Sequence, residues 1–254
     1  MNSKKKNKKP FFSVITVVKN DEKNIEKTIN SIFSQTIGDY EYIIIDGKST
    51  DKTYSKILKY KKKLKNFIHE NDKGIYFAMN KGARLATGNV LVFVNSGDIL
   101  KKNALSIIKK KFIKNNNIKF VFGTVLRHYT TGSILKHSFH RIKFNFDFAT
   151  SHSSGFFLKR TIFKKLHYFN TSYKCSADYD IYYKVLLSLK LDGASTKKNQ
   201  LIGIVKSGGF SSKLNFIEHL LEETFIRFNN NQNILIIIII FFNALIKHLI
   251  KKLI

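Results

Sequence analysis

Residues Asp72–Asp98 read DKGIYFAMNKGARLATGNVLVFVNSGD, and this stretch decides the fold. In its first half, Gly74–Ala86, the residues Ile75, Ala78, Met79 and Ala83 fall on one side at helical spacing. The second half opens with Val90–Val94 (VLVFV), a continuous apolar run of the kind buried on both faces of a parallel sheet. That run breaks into the polar turn Asn95-Ser96-Gly97-Asp98. The same grammar recurs upstream. Ser13–Val18 (SVITVV) reads as a strand, Asn20 or Asp21 as a helix cap, and Ile25, Ile29, Ile32 and Phe33 as the apolar side of a helix. Tyr42–Ile45 is a second strand ended by Asp46-Gly47, a Lys- and Tyr-rich helix covers about 53–63, and Phe67-Ile68 marks a short third strand. Strands alternating with helices predict right-handed βαβ units and an α/β fold with a mostly parallel central sheet. Downstream, 104–113 reads as helix, 120–125 as strand, 179–189 and 216–228 as helices, and 127–150 is aromatic and basic without a period.

Composition bounds the function classes. The chain has 254 residues, 43% of them hydrophobic, which is enough apolar material for a packed core and excludes wholesale disorder. A single Cys, Cys175, excludes a disulfide framework and a Cys-based zinc site, and reads as a small core or loop residue. The net charge of +28, from 45 Lys+Arg against 17 Asp+Glu, asks for an anionic partner: nucleic acid, an anionic membrane or a polyphosphate ligand. Interleaved Lys and aromatic residues at 54–65 and 139–148 suit nucleic acid, but no DNA- or RNA-binding motif is present. The apolar run after the basic tail (residues 1–10) is too short for a secretory signal, so a cytoplasmic location is expected.

The C-terminal part, 211–254, differs. Ile234–Phe242 is an unbroken apolar run, extended by Ala244–Ile246. About thirteen helical residues span ~20 Å, short of a ~30 Å hydrocarbon core. Beyond them Asn243, Lys247, His248, Lys251 and Lys252 share one helical face, and Leu245, Ile246, Leu249, Ile250 and Leu253 the other. An amphipathic basic helix of this kind suits the plane of an anionic membrane surface; a core helix and a full span stay open as alternatives.

In parallel sheets ligands sit beyond the carboxyl ends of the strands. Four polar clusters fall there: Val18-Lys19-Asn20-Asp21, Asp46–Asp51, Asn71-Asp72-Lys73-Gly74 leading to Asn80, and Asn95–Asp98. Each alone is an ordinary turn or cap; together they place carboxylates and amides along one edge, an arrangement that suits a nucleotide whose diphosphate needs a cation. The elbow GxSxG, the phosphate loop GxxxxGK[ST], GxGxxG and HExxH are all absent.

The order SVITVVKND, IIIDGKSTDKT, ENDKGIYFAMNKG, LVFVNSGD, then SADYDIYYK resembles family 2 glycosyltransferases with a GT-A fold, in the bacterial branch that builds capsule, O-antigen and related polysaccharide. The resemblance covers about 11–190. It implies a GT-A domain over 11–210, with 11–100 as the nucleotide-binding half and 101–210 as the acceptor half. It implies transfer of a sugar from a nucleotide diphosphate sugar, with inversion, to a glycan or lipid-linked acceptor at the inner face of the cell membrane. Asp46 then takes the position that contacts the base, with Val17 and Asn20 lining the nucleoside pocket. Asp72, Lys73 and Asn80 follow in the next loop and helix. Asn95, Ser96 and Asp98 form the metal-binding segment for Mg²⁺ or Mn²⁺, with Asp98 its one carboxylate. Asp178 matches the catalytic base. The sequence departs from the family at Asn95 and at Ala177, where acidic residues are usual. His152, in the polar segment 150–155, and Asp180 are further candidates for the diphosphate or acceptor side, whereas His128, His137 and His140 show no persuasive metal spacing. An inverting transfer needs one general base and positive charge on the leaving group, and no covalent nucleophile. Readings kept beside this one are a basic nucleic-acid-binding protein, a nucleotidyltransferase, which usually has a Gly-rich loop after its first strand, and a catalytically degenerate nucleotide-sugar-binding homologue.

Overall fold

A computed structural model of the protein describes residues 9–127, 133–135, 152–206, 208–209 and 215–253, with backbone alone at 127, 133–135 and 252–253. The expectations for most of the basic tail, for His128, His137 and His140, and for most of 127–150 lie outside the described residues.

The centre of the molecule is the strand β1 (Phe12–Val18), buried at every position. It pairs in parallel with β2 (Tyr40–Asp46) on one side and β4 (Val90–Phe93) on the other, and β2 pairs in parallel with β3 (Asn66–His69). Beyond β4 the direction reverses. β9 (Phe156–Lys159) is antiparallel to β4 and to β6 (Phe120–Phe122), which pairs in parallel with β10 (Gly193–Ser195). The sheet order is β10-β6-β9-β4-β1-β2-β3.

Period-two alternation along β1 sends Ile15 and Val17 to one face and Phe12, Val14 and Val18 to the other. The first face packs against α3 (Ile75–Leu85) through Met79 and Ala83. The second packs on α1 (Ile25–Phe33), through Ile25, Ile29 and Ile32, and on α4 (Ala104–Lys114), through Leu105 and Ile108. Each such side chain contributes about 1.5–3 kcal/mol of burial. Helix α3 sits so close to β1 that a Cβ on Gly82 would lie 2.5 Å from Ile15 Cγ2.

The sequence reading differs from the structure in several places. α1 begins at Ile25, after Asn24, because the Asp21 carbonyl takes the Asn24 and Ile25 N–H groups in a preceding turn. The helix expected over 53–63 stops as α2 at Leu58, followed by a short 3₁₀ turn, Lys61–Lys63, where like charges crowd the chain. The strand expected over 120–125 divides at Gly123 into β6 and β7 (Thr124–Arg127), which belong to different sheets. A second sheet, β5-β11-β7-β8, formed by Ile99–Leu100, Leu201–Val205, Thr124–Arg127 and Ser133–Leu135, has no counterpart in the sequence reading. Its value to the site is that β11 ends beside Asp98. Past β9 come α5 (Arg160–Lys165) and α6 (Ala177–Tyr183), the latter ending in a π turn at Lys184–Ser188.

Two helices close the chain. α7 (Phe216–Asn229) opens on a capping box between Asn215 and Glu218. α8 (Ile234–Leu253) is a single 20-residue helix, about 30 Å long. It joins the apolar run and the amphipathic basic stretch into one element, long and apolar enough by length and composition to cross a membrane. It rests on α7 through Ile240 against Leu220 and through His248, whose ring stacks on Phe216 at 3.8 Å. Only 11% of Ile234–Lys251 is buried, so α8 is not a core helix. Leu235, Ile238, Ile239, Phe242, Ile246, Leu249 and Ile250 are exposed along its outer side.

Candidate active site

Because β1, β2 and β4 run in parallel, their last residues reach one edge of the sheet. β9 runs the other way, so the residues that precede it, His152–Gly155, arrive at that same edge. Topology thus brings together segments far apart in sequence.

At one end of the edge lies Asp46, fully buried. One of its oxygens, Oδ1, accepts from Ser49 N at 3.1 Å and Ser49 Oγ at 2.5 Å, while Oδ2 lies 2.5 Å from His69 Nδ1. The His69 ring leans on Tyr54 with 4.2 Å between centroids. Asn20, with φ of 52°, folds over this loop, accepting from Thr50 N at 2.8 Å. Val17 is buried, and its carbonyl takes the Ser96 N–H at 3.4 Å. Further along, Asp72 Oδ1 accepts from Lys81 Nζ at 2.7 Å, and Asp72 Oδ2 is buried without a hydrogen-bond partner among the described residues. Lys73 is exposed.

At the centre is Asp98, 3% exposed. Its turn is held by Thr28, whose Oγ1 accepts from Gly97 N and donates to Asp98 O, both at 2.9 Å. Gly97 has a φ of 96°, a conformation open to glycine. The Asp98 carboxylate accepts from Ser154 Oγ and from Lys206 N at 3.0 Å, and His152 Nδ1 stands 3.4 Å away. Burial pushes the Asp98 proton affinity up, opposed by the His152 charge and these hydrogen bonds. Asn95 Nδ2 donates to Ser153 Oγ at 3.3 Å, but Asn95 Oδ1 is buried and has no partner among the described residues. Ser96 Oγ donates to Asp21 Oδ2 at 2.8 Å.

Asp178, in the first turn of α6, completes the group. Its Oδ1 accepts from Tyr179 N at 2.9 Å and from Tyr76 Oη at 3.3 Å. Burial raises its pKa above the ordinary carboxylate value, and the charge of His152 again opposes the shift. His152 is therefore electrostatically linked to both carboxylates. Tyr76 Oη also lies 2.5 Å from Cys175 O, so its single proton is shared between that carbonyl and Asp178, tying α3 to the segment that presents Asp178.

Two predicted residues turn elsewhere. Asn80 lies in α3 with its amide engaged at both ends by the backbone of Phe169, at 2.8 and 2.9 Å. It clamps a loop and does not face the strand edge. Asp180 is 1% exposed; it pairs with Lys184 Nζ at 2.7 Å and accepts from Asn230 Nδ2 at 2.9 Å, so it fastens α6 to α7. His69, Tyr76, Ser154 and Lys206 belong to the site and escape the sequence reading. The one signal for Tyr76 is its place inside the quoted DKGIYFAMNKG stretch.

The donor set at the centre suits a hard divalent cation. It comprises one carboxylate (Asp98) and one amide oxygen with no protein partner among the described residues (Asn95), with the His152 imidazole beside them able to ligate in its neutral form. Among the described residues no group of three His, Cys, Asp or Glu converges, so phosphate oxygens and water would have to complete the coordination.

A mostly parallel sheet with polar groups gathered at its carboxyl edge, and helices on both faces, defines an α/β nucleotide-binding enzyme of the GT-A type. Residues 13–181 match the family described as Glycosyl transferase family 2, and the chain belongs to that family. A PGL/p-HBAD biosynthesis glycosyltransferase of Mycobacterium bovis is 30% identical over 175 residues, 67% of this chain and 68% of its own. The UDP-Glc:alpha-D-GlcNAc-diphosphoundecaprenol beta-1,3-glucosyltransferase WfgD of Escherichia coli is 32% identical over 114 residues, 44% of this chain and 45% of its own. Among solved structures, S. aureus TarS in complex with UDP-GlcNAc superposes with a TM-score of 0.68 at 21% identity, over 87% of this chain and 68% of that one. The protein is a glycosyltransferase.

Proposed function

We propose that this glycosyltransferase moves a sugar, with inversion, from a nucleotide diphosphate sugar to a hydroxyl of a lipid-linked or glycan acceptor in cell-surface polysaccharide synthesis. The observation that carries this reading is the meeting of Asp98 with Ser154 and His152 at the carboxyl edge of β4, with Asp178 near enough for the His152 charge to act on it. The acceptor class is supported by the WfgD relative, whose name specifies a sugar on a diphosphoundecaprenol.

In this reading 11–100 hold the nucleotide and 101–210 shape the acceptor side. Val17, Asn20 and Asp46 line the nucleoside end, with Asp72 and Lys73 beside it. Asp98, Asn95 and His152 would hold Mg²⁺ or Mn²⁺ and, with Ser96, face the diphosphate. When bound, the cation supplies positive charge against the departing diphosphate. Asp178 removes the proton from the acceptor hydroxyl as that oxygen forms its bond to the anomeric carbon. The bond from that carbon to the diphosphate breaks on the opposite face, and configuration inverts. A carboxylate whose pKa is raised by burial is a better proton acceptor than a solvated one. Tyr76 and the Tyr179 N–H fix its orientation.

The α7–α8 hairpin then anchors the enzyme peripherally at the cytoplasmic face of the cell membrane. Its exposed apolar stripe enters the lipid and Lys247 and Lys251 face anionic headgroups. The test is a panel of nucleotide sugars with Mg²⁺ or Mn²⁺ and a polyprenyl-diphosphate-linked sugar, scored by release of nucleoside diphosphate and by the anomeric configuration of the product. One donor giving an inverted product supports the reading. Retention of configuration overturns the mechanism, and turnover of none of the donors overturns the activity.

A further inference from the structure

The segment Asn95–Asp98 holds a single carboxylate, yet another charged group lies over it. β11 ends beside the turn, and the Lys206 N–H donates to Asp98 Oδ1 at 3.0 Å. From there the Lys206 side chain folds back across the turn, so closely that a Cβ on Gly97 would clash with Lys206 Cδ. Its ammonium ends 3.3 Å from Asp21 Oδ1, on the loop after β1. The stem of Lys206 thus packs on the backbone of the turn, and its charge bridges two of the strand-end loops.

The contact with Asp21 is open to exchange. Lys206 and Asp21 are 42% and 20% exposed, and an ion pair in such a position contributes little to stability. Asp21 stays satisfied without it, since Ser96 Oγ donates at 2.8 Å and Asn24 Nδ2 at 2.5 Å. The ammonium is therefore able to leave a partly exposed carboxylate for a doubly charged diphosphate, where charge-assisted hydrogen bonds are stronger. A lysine is a compact point charge with three donors, suited to a phosphate whose position shifts as its bond to the sugar breaks.

We propose that Lys206 is a donor-binding residue whose ammonium takes hold of the diphosphate, sharing with a divalent cation the charge that a second carboxylate of the turn would otherwise help to recruit. This inference rests on the reading of the strand edge as a nucleotide diphosphate site. It follows that donor binding is only partly dependent on metal.

The experiment is calorimetric titration of the full chain with UDP, GDP and dTDP, each with Mg²⁺ and with EDTA. The wild type is compared with Lys206→Met, which keeps the stem over Gly97, and with Lys206→Arg, which keeps the charge. Wild type binds its preferred diphosphate in EDTA, more weakly than with Mg²⁺. Lys206→Met loses about tenfold or more in EDTA and less with Mg²⁺, and Lys206→Arg recovers part of the loss. The matching monophosphate binds Lys206→Met and wild type alike. Equal binding of the diphosphate by Lys206→Met and wild type in EDTA, with unchanged thermal midpoints, overturns the proposal alone. Failure of the wild type to bind any diphosphate in either condition overturns the underlying reading as well. Should Lys206→Met lower the thermal midpoint, Lys206→Gln replaces it under the same criterion.

Discussion

The sheet edge and the C-terminal hairpin break the usual partition of polar and apolar groups in opposite senses. At the edge and just behind it, Asp46, Asp98 and Asp180 are buried, although carboxylates rarely are unless paired. On the hairpin, Leu235, Ile239 and Phe242 are more than half exposed, although residues of that kind make up the core elsewhere. The interior strand β4 and the helix α8 are both apolar runs, yet one is buried throughout and the other is mostly bare. Apolar content therefore fixes the fold in the first case and offers a surface in the second. Buried charge likewise has two meanings. Asp180 is satisfied by Lys184 and Asn230 and holds helices together, while the less enclosed Asp178, which accepts from the Tyr179 N–H and shares the Tyr76 proton with Cys175 O, keeps its proton affinity raised.

The strongest way to break this comparison is Asp178→Asn. Transfer is expected to fall by about 10²–10⁴-fold, the usual contribution of a general base. Stability moves the other way. Burial raises the folded-state pKa of Asp178, so between the ordinary carboxylate value and the raised one the folded chain holds more protons than the unfolded chain. Folding stability contributed by this group then declines as pH rises through that window and stays low above it. The amide removes the penalty, so the thermal midpoint at neutral pH should hold or rise. The wild-type rate should fall as pH is lowered through the raised pKa, because the base becomes protonated. A variant that loses its midpoint together with its activity would make Asp178 a structural group.

Phe242→Ser tests the opposite region. Phe242 is 54% exposed, so the thermal midpoint should not change. Flotation with anionic vesicles should weaken by about 10- to 100-fold, the equivalent of ~1.5–3 kcal/mol for one apolar side chain withdrawn from lipid. Unchanged flotation would leave the bare face of α8 to some other contact.

Gly82→Ala returns to the interior, where α3 seats on β1. The added methyl would sit 2.5 Å from Ile15 Cγ2, too close for a well-packed core to absorb without shifting the helix. A loss of about 1–3 kcal/mol in a denaturant titration is expected. A neutral result would mean that α3 rides more loosely on the sheet than the 2.5 Å approach allows.

The two regions are not equally legible in the sequence. Strands β1, β2 and β4 and helices α1, α3 and α4 follow from local periodicity, and with them the polar residues at the strand ends. Asp98, Asp178 and His152 each stand out singly, but their meeting depends on β9 running antiparallel to β4, which no local pattern encodes. His69 and Lys206 stay hidden for the same reason: each acts across strands, His69 on Asp46 from β3 and Lys206 on Asp98 from the end of β11. Asn80 stands in the helix behind the loop, but a polar residue in a helix gives no sign that its amide engages the Phe169 backbone. For the hairpin, the sequence shows the apolar run and the basic face. It does not show that His248 turns inward onto Phe216.

The smallest expected effect separates charge from apolar area on the hairpin itself. Lys247 and Lys251 are exposed on α8, one turn apart, beside the apolar stripe. A lysine near an anionic leaflet contributes about 1 kcal/mol, against roughly twice that for a buried aromatic ring. Lys247→Ser should therefore weaken vesicle binding only about fivefold, and the loss should vanish as salt shortens the Debye length or as the vesicles become neutral. The Phe242→Ser defect should persist under both conditions. If the lysine variant were instead the more damaging of the two, the net charge of +28, and not the bare apolar face, would govern attachment.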